Sequence, residues 1–527
     1  MINVRLSYNK GYKWFSENGV FVKGYLFTSD NRLLRGKELA DYFSAVPSFS
    51  DFQARIQDAN GLFAVVVKRE NSLWATIDST RTFPLFYYQQ KDLFVITDDP
   101  EQLQTDHIPL VLEEDNALIF ACSGFVPGGK TLLKGVFQLV AGESIRYENG
   151  VPTKAFHTEF LTDTFFTQTR EALKEKLKQV LEQVGRRMIE ALAGRPVAIP
   201  LSGGFDSRLM AYLLRKNDYR NVFCYTFGKN NNVELKNARR TAENLGYPFC
   251  FVNYEKYADN PLVNDPVFKS YVNFATQYSA RFEEQDYYAM RELIDSGKIS
   301  ADTVFIPGHS GAIAGHLLSK AMDKPHFSFT EQALEEVFSL IYPRKKELRI
   351  LRKEVEFLDR PSEKYPAYLL YENWRFQGTT ALAANCAKIW DFFGFEYLFP
   401  LWDKELFRFF VHLPFQHKYD KNLYKETLAE LFEAFNIDFR EDELCPSESL
   451  IKRVAFRSKL KKRFPFLKRF INVWKNDPIG SQYIAQGFIN ELKKSGNHRK
   501  MLSFNGISSA WYLLQVKREL RPPQTPV

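Results

Sequence analysis

Six consecutive residues, Ser202-Gly-Gly-Phe-Asp-Ser207, concentrate more chemistry than any other stretch of the chain. Two adjacent glycines let a backbone turn tightly and aim its N–H groups at one point. A helix expected to follow brings the positive end of its dipole to the same point, so the loop is a seat for an anion. The hydroxyls of Ser202 and Ser207 are expected to add donors. Asp206 would repel a bare phosphate, so it calls for a cation between them, and Mg²⁺ bridging to phosphate oxygens fits. No Gly-Lys-[Ser/Thr] follows, which excludes a Walker loop. The plain alternative is a Ser-Gly-Gly turn followed by an Asp-Ser helix cap. The strand–loop–helix setting argues against it.

That setting is read from the flanks. An apolar run at 197–201 predicts a short buried strand, and 206–215 a helix. A second strand is expected at 222–227, a helix at 233–245 ended by Gly246-Tyr-Pro248, and further strands at 249–253 and 304–306. Strands alternating with helices predict a parallel sheet covered on both faces. Upstream, Leu173, Leu177, Val180, Leu181, Val184, Met188 and Leu192 recur at three and four residues, a helix of about six turns. Gly194-Arg-Pro196 stops it. Residues 1–155 read instead as short strands (61–67, 73–78, 84–88, 93–97) with one short helical piece near 36–43. Beyond about residue 330 the pattern is mostly helical, and no internal repeat is present.

At 527 residues the chain calls for two to four domains. No apolar run approaches the roughly 18 residues of a membrane span. Met1-Ile-Asn-Val-Arg5 has no apolar signal core, so the expectation is a cytoplasmic protein. Cysteines at 122, 224, 250, 386 and 445 form no CxxC pair, which speaks against a disulfide framework or structural zinc. The net charge of +8 is local: residues 450–476 hold ten Lys/Arg and no acid, leaving 61 Lys/Arg against 63 Asp/Glu elsewhere. A chain-wide basic footprint is therefore absent and no nucleic-acid partner is expected. Within 452–475 the cations interleave with Leu460, Phe464, Leu467, Phe470, Ile471 and Trp474. That pattern suits either contact with anionic lipid or an acidic partner, or a helix pair packed by its apolar side with its lysines in water.

The 202–207 motif resembles the pyrophosphate loop of the ATP-pyrophosphatase (PP-loop) superfamily, and its surroundings resemble asparagine synthetases of the glutamine-hydrolysing type. Tyr225-Thr-Phe-Gly228 is similar to their adenine-side segment, with Glu234 and Arg239 in the helix that follows. Phe399-Pro-Leu-Trp-Asp403 and Lys421-Asn-Leu-Tyr-Lys-Glu426 are similar to two later stretches. Asn60-Gly-Leu-Phe-Ala64, Asp78 with Pro84-Leu-Phe-Tyr87, Gly124-Phe-Val-Pro-Gly-Gly-Lys-Thr-Leu132 and Ala141-Gly-Glu143 resemble parts of a class II amidotransferase domain. The resemblance spans about residues 55–430.

It implies an α/β protein. A degenerate β-rich Ntn/class II amidotransferase-like domain would occupy 1–160. A parallel-sheet α/β ATP-pyrophosphatase domain with a helical C-terminal part would occupy 165–445, and a basic helical extension 446–527. The implied activity is ATP-dependent amide formation: a small-molecule carboxylate becomes an acyl-adenylate and is attacked by ammonia or an amine. The family's commonest substrate is aspartate; amidation of a sugar acid in surface-polysaccharide synthesis and amide ring closure are alternatives. A sulfur-transferring, RNA-modifying relative would carry a cysteine pair that this sequence lacks. A degenerate nucleotide-binding scaffold is the non-enzymatic reading.

Carried over residue by residue, the resemblance places ATP and pyrophosphate on Leu201, Ser202, Gly203, Gly204, Asp206, Ser207, Phe227, Gly308 and Ser310. It places Mg²⁺ on Asp206. The lysine that stabilises charge during amide formation falls on Lys421 or Lys425, with Lys452 a third candidate. Two departures stand out. Ile2 occupies the place of the family's nucleophilic cysteine, so loss of glutamine splitting is expected. The family's Ser-Gly-x-Gly-Ser-Asp-Glu loop reads Ile306-Pro-Gly-His-Ser-Gly-Ala-Ile-Ala-Gly315 here, with Gly311 and Ala312 where acids belong. Asp206 would then be the single protein carboxylate on the metal, which Mg²⁺ tolerates because it keeps waters and phosphate oxygens. His309 and His316 either reach the phosphates or are ordinary loop residues.

Overall fold

The computed structural model describes residues 1–158, 160–230, 233–258, 262–309, 312–437, 477, 480–496 and 501–520. The N-terminal part is built from two sheets. Strands β1 (Ile2–Arg5), β2 (Phe15–Glu17), β3 (Val20–Phe27), β4 (Leu33–Arg35), β5 (Asn60–Lys68), β6 (Ser72–Ile77), β7 (Phe86–Gln90), β8 (Leu93–Thr97), β9 (Val136–Gln138), β10 (Glu143–Glu148) and β11 (Val151–Phe156) supply them. One sheet has the order β11-β10-β6-β5-β3-β2 with β4 beside β3, and the other β1-β8-β7-β9.

The apolar run in β5 is explained by its place between two layers. Phe63, Val65 and Val67 face the helices Gly36–Ser44 and Phe49–Gln57, where Leu39, Phe43, Phe52 and Ile56 bury against them. Leu62, Ala64 and Val66 point the other way, into the larger core with Leu73, Ala75 and Phe94. Successive side chains on a strand point to opposite faces, so both sets must be apolar. Asn149 and Gly150 both have positive φ (52° and 80°), the backbone that a two-residue hairpin turn requires, and they join β10 to β11.

Two helices here escaped the sequence reading. Phe49–Gln57 spans only nine residues, started by Ser48, whose side chain accepts from the Asp51 amide. Glu114–Ser123 buries its last five residues on every side, so it shows no polar stripe to betray a helical period.

The second part holds a five-stranded sheet of order β14-β13-β12-β15-β16, every neighbour parallel. Its strands are β12 (Val197–Pro200), β13 (Val222–Gly228), β14 (Phe249–Asn253), β15 (Val304–Phe305) and β16 (Glu396–Tyr397). β16, two residues long, carried no sequence signal. The helix Arg170–Leu192 starts at Thr169, whose side chain accepts from the Ala172 amide, and ends on left-handed Ala193. The aromatics at 392–410 are core: Phe392, Phe395, Phe399, Trp402, Phe407 and Phe410 are all buried. Helices Ser481–Lys494 and Phe504–Glu519 join the same core, Phe488 and Trp511 packing on Phe268 and Phe282.

The two parts are tied by residues quoted above for their resemblance. Asp403 takes a two-pronged ion pair from Arg187 (2.7 and 2.8 Å) and a hydrogen bond from the Asn60 amide (2.8 Å). Asn60 accepts in turn from the Lys404 backbone (3.0 Å), and Tyr12 donates to the Tyr397 carbonyl (2.7 Å). Both motifs serve to join the layers. Among the described residues no helix is long and apolar enough to cross a membrane. The basic stretch 452–475, including Lys452, lies outside the described residues.

Candidate functional site

In an open parallel sheet, ligands collect beyond the carboxyl ends of the strands. The 202–207 loop leaves β12 there. The Leu201 amide still bonds the Tyr225 carbonyl (2.8 Å), and the helix Phe205–Lys216 begins at Gly204, an N-cap position with no side-chain cap bond.

The two serines act as a buckle. Ser207 Oγ lies 3.0 Å from Ser202 Oγ and accepts from the Ser202 amide at 3.1 Å; Ser202 Oγ accepts from the Gly204 amide at 3.2 Å. Their hydroxyls hold the loop's shape. Arg208 does the complementary work. Buried to 1% exposure, it donates to the carbonyls of Gly204 (3.1 Å) and Gly203 (2.8 Å). A trans peptide points its carbonyl and the next N–H in opposite directions. Holding these two carbonyls therefore turns the Gly204 and Phe205 amides to the other side. Arg208 was missed in the sequence; an arginine in the first turn, where the dipole disfavours a cation, was the available signal.

Gly308 lies on this loop. A Cβ there would come within 2.3 Å of the Ser207 amide nitrogen and 2.8 Å of the Asp206 carbonyl carbon, so only glycine allows the approach. Ser310 and Gly311 lie outside the described residues, as does the side chain of Ala312.

Asp206 is clasped from the C-terminal segment. Lys421 Nζ donates to one carboxylate oxygen (3.1 Å) and the Tyr424 hydroxyl to the other (2.8 Å). Lys421 arrives through a sharp bend: it and Asp420 both have positive φ (58° and 53°). The preceding turn presses Gly315 against the Lys418 carbonyl so closely that a Cβ would overlap it. Lys418 is anchored by a buried pair with Glu372 (2.6 Å, both 1% exposed). Of the candidate lysines, Lys421 meets Asp206, whereas Lys425 sits with its Nζ 5.9 Å from the Phe205 ring centroid. Burial and the Asp206 charge push the Tyr424 hydroxyl well above its ordinary value.

A cavity of about 280 Å³ opens over the loop. Leu201, Ser202, Gly204, Asp206 and Ser207 form its floor, with Gly203 just behind, its Cα facing Glu234. Phe227 lines one wall, its ring stacked on Tyr254 at 5.0 Å. His309, Asp286 and Trp390 also line the cavity. Burial holds the His309 imidazole down at about 4, so it is neutral at pH 7. Burial likewise lowers His316. Asp286, which the sequence reading did not single out, accepts from the Tyr225 hydroxyl (3.3 Å); burial and the nearby Glu283 charge raise it to about 7. Among the described residues no three His, Cys, Asp or Glu side chains group as a metal cage.

Residues 176–437 match the family model for asparagine synthase. Among solved structures, the chain resembles the NH3-dependent NAD synthetase of Campylobacter jejuni at 15% identity, over 37% of this chain and 99% of that one, with a TM-score of 0.21. It resembles glutamine PRPP amidotransferase from B. subtilis at 8% identity, over 67% of this chain and 76% of that one, with a TM-score of 0.18. Neither likeness is close enough to bear on function. No curated protein matches the chain.

Proposed function

We propose that this chain is an ATP-dependent amide-forming ligase that activates a carboxylate by adenylation, a reading supported by the match of residues 176–437 to the family model for asparagine synthase. The observation that carries the reading is the clasp of Lys421 on Asp206 at the mouth of the 202–207 loop. The glycines at 204 and 308, the start of the helix Phe205–Lys216 and the position of Asp206 suit a nucleotide's phosphates.

A carboxylate oxygen attacks the α-phosphorus of ATP, and the bond to the bridging oxygen breaks to release pyrophosphate. The nitrogen of ammonia or an amine then attacks the acyl carbon, AMP leaves, and the nitrogen loses a proton. Arg208, by holding the Gly203 and Gly204 carbonyls, fixes the shape of the loop against which the pyrophosphate departs. Mg²⁺, when bound at Asp206, would offset phosphate charge there. Lys421 lies where charge develops in both steps, and a fixed cation in a site shielded from water contributes most at such a point. Ser310 remains part of the proposed phosphate site, and aspartate the first acceptor to try. Ile2, a strand residue in β1, offers no nucleophile for glutamine, so nitrogen arrives as ammonia or an amine. The protein is expected to work in the cytoplasm, as domains bounded near residues 160 and 446, without nucleic acid, and with lipid or an acidic partner at 452–475 as a separate question for vesicle co-sedimentation.

The test is pyrophosphate release from ATP with a panel of carboxylates, with and without Mg²⁺. Release that needs both a carboxylate and the metal supports the ligase. ATP binding without release under every carboxylate would replace it with the scaffold reading.

A further inference from the structure

Where the two parts of the chain meet, a second cavity of about 280 Å³ opens. Gln57, His157 and Thr158 line it from the N-terminal part, Lys404 and Arg408 from the helix Lys404–Val411. None of its lining residues belongs to the nucleotide cavity.

Its charge is one-sided. Among the described lining residues there is no aspartate or glutamate. Lys404 is 6% exposed, yet among the described residues no carboxylate stands within ion-pair distance of its ammonium. That ammonium donates to the Ile56 carbonyl (3.5 Å) and to the Gln57 carbonyl, at the end of the helix Phe49–Gln57. A helix C-terminus carries only a partial negative charge, and an ammonium has three donors, so one donor and part of the charge stay uncompensated. Arg408 also donates to the Gln57 carbonyl (3.3 Å), and its pair with Asp58 (2.9 Å) is half exposed on both sides.

A buried cation either finds a counter-ion or gives up its proton. Burial and the Arg408 charge, partly offset by Asp58, bring Lys404 down to about 7. It therefore releases its proton near neutrality and would keep it beside an anion. His157 is a neutral part of the wall: it donates from Nε2 to the Ile77 carbonyl (2.9 Å), and burial and the Lys404 charge hold it at about 3. Four further lining residues, Phe156, Leu161, Phe407 and Val411, are apolar. An uncompensated cation beside apolar side chains suits a carboxylate with a short hydrocarbon body, whereas inorganic phosphate would leave oxygens against them.

We propose that the cavity at this junction is a second ligand site, taking a small organic carboxylate whose charge rests on Lys404 and whose hydrocarbon body lies against the apolar side chains. The site stands apart from the ligase reading. Because Gln57 and Lys404 come from the two parts of the chain, its occupant would also fasten the junction.

Hexanoate is titrated into the full chain by calorimetry, with 1-hexanol as its uncharged counterpart, in parent, Lys404→Met, Arg408→Gln and Glu159→Gln proteins. Glu159 lies outside the described residues, and its variant tests whether the chain supplies such a carboxylate itself. The parent is expected to bind hexanoate at least tenfold more tightly than hexanol at pH 7. Titrations at pH 8 in buffers of different ionisation heat should show uptake of roughly half a proton or more, as the anion returns Lys404 to its charged form. The affinity should fall about tenfold or more from pH 6 to pH 9. The groups acting on Lys404 are Arg408, Asp58 and His157. Lys404→Met should abolish hexanoate binding and proton uptake together, and Arg408→Gln should weaken binding by a smaller factor; both should leave ATP binding within twofold. Hexanoate that fails to bind, binds no better than hexanol or binds without proton uptake overturns the proposal. Binding that survives Lys404→Met overturns it as well, and would put the carboxylate in the nucleotide cavity. A tenfold gain in Glu159→Gln would do the same by showing the chain's own carboxylate on Lys404.

Discussion

Asp206 and Asp286 are both half-buried carboxylates on the wall of one cavity, and their surroundings treat them oppositely. Asp206 sits at a helix start with Lys421 and Tyr424 on its two oxygens. Asp286 sits among other acids, and its proton is held up to about 7 by burial and the charge of Glu283. One carboxylate is surrounded so as to keep a negative charge, the other so as to resist it. A residue type alone therefore says little about its chemistry; the partners decide it.

The comparison breaks most visibly at the compensated end. Asp206→Ala should reduce pyrophosphate release on the order of 10³-fold, with the thermal unfolding midpoint little changed, because helix and loop geometry rest on Arg208 and the serine buckle. Near-parent release from that variant would remove Asp206 from the chemistry. Next in size, Lys421→Met should lower kcat for release about 10²-fold and ATP affinity much less, the pattern of a charge contact made mainly in the transition state. An equal rise in KM with kcat intact would make Lys421 a binding group only.

At the uncompensated end the expected effect is on stability, and its sign follows from the raised value. Folded Asp286 holds its proton up to about pH 7, whereas the unfolded group releases it near 3.8, so rising pH in that window disfavours the folded state. The titratable groups that interact with it are Glu283, Tyr225, Tyr254, Tyr271 and Cys386. Asp286→Asn should therefore unfold at a higher temperature than the parent at pH 8, by roughly 1–3 kcal/mol, and match it at pH 4. A variant less stable at pH 8 would show that Asp286 is already compensated. The smallest effect is expected at Lys425, which lies over the Phe205 ring. Lys425→Met should hold pyrophosphate release within about threefold, and a loss rivalling that of Lys421→Met would reassign the lysine.

The sequence by itself determined the local and periodic features. Glycines between a short apolar strand and a helix announced the loop, because a tight turn and an anion seat need that order of residue types. The period of Leu173 to Leu192 gave the long helix, and alternating elements gave the parallel sheet. The resemblance put Lys421 among the lysines worth testing. Tertiary structure alone decided what depends on distant pairs. Lys421 reaches Asp206 across more than two hundred residues only because Asp420 and Lys421 turn left-handed and Gly315 admits the Lys418 carbonyl. Asp286 gains its character from Glu283, Glu284 and a buried wall that no local pattern shows. Asn60 and Asp403, quoted from separate motifs, became a single junction with Arg187. Short-range preferences are written in neighbouring residues, while charge compensation depends on which groups the fold brings together after burial removes water.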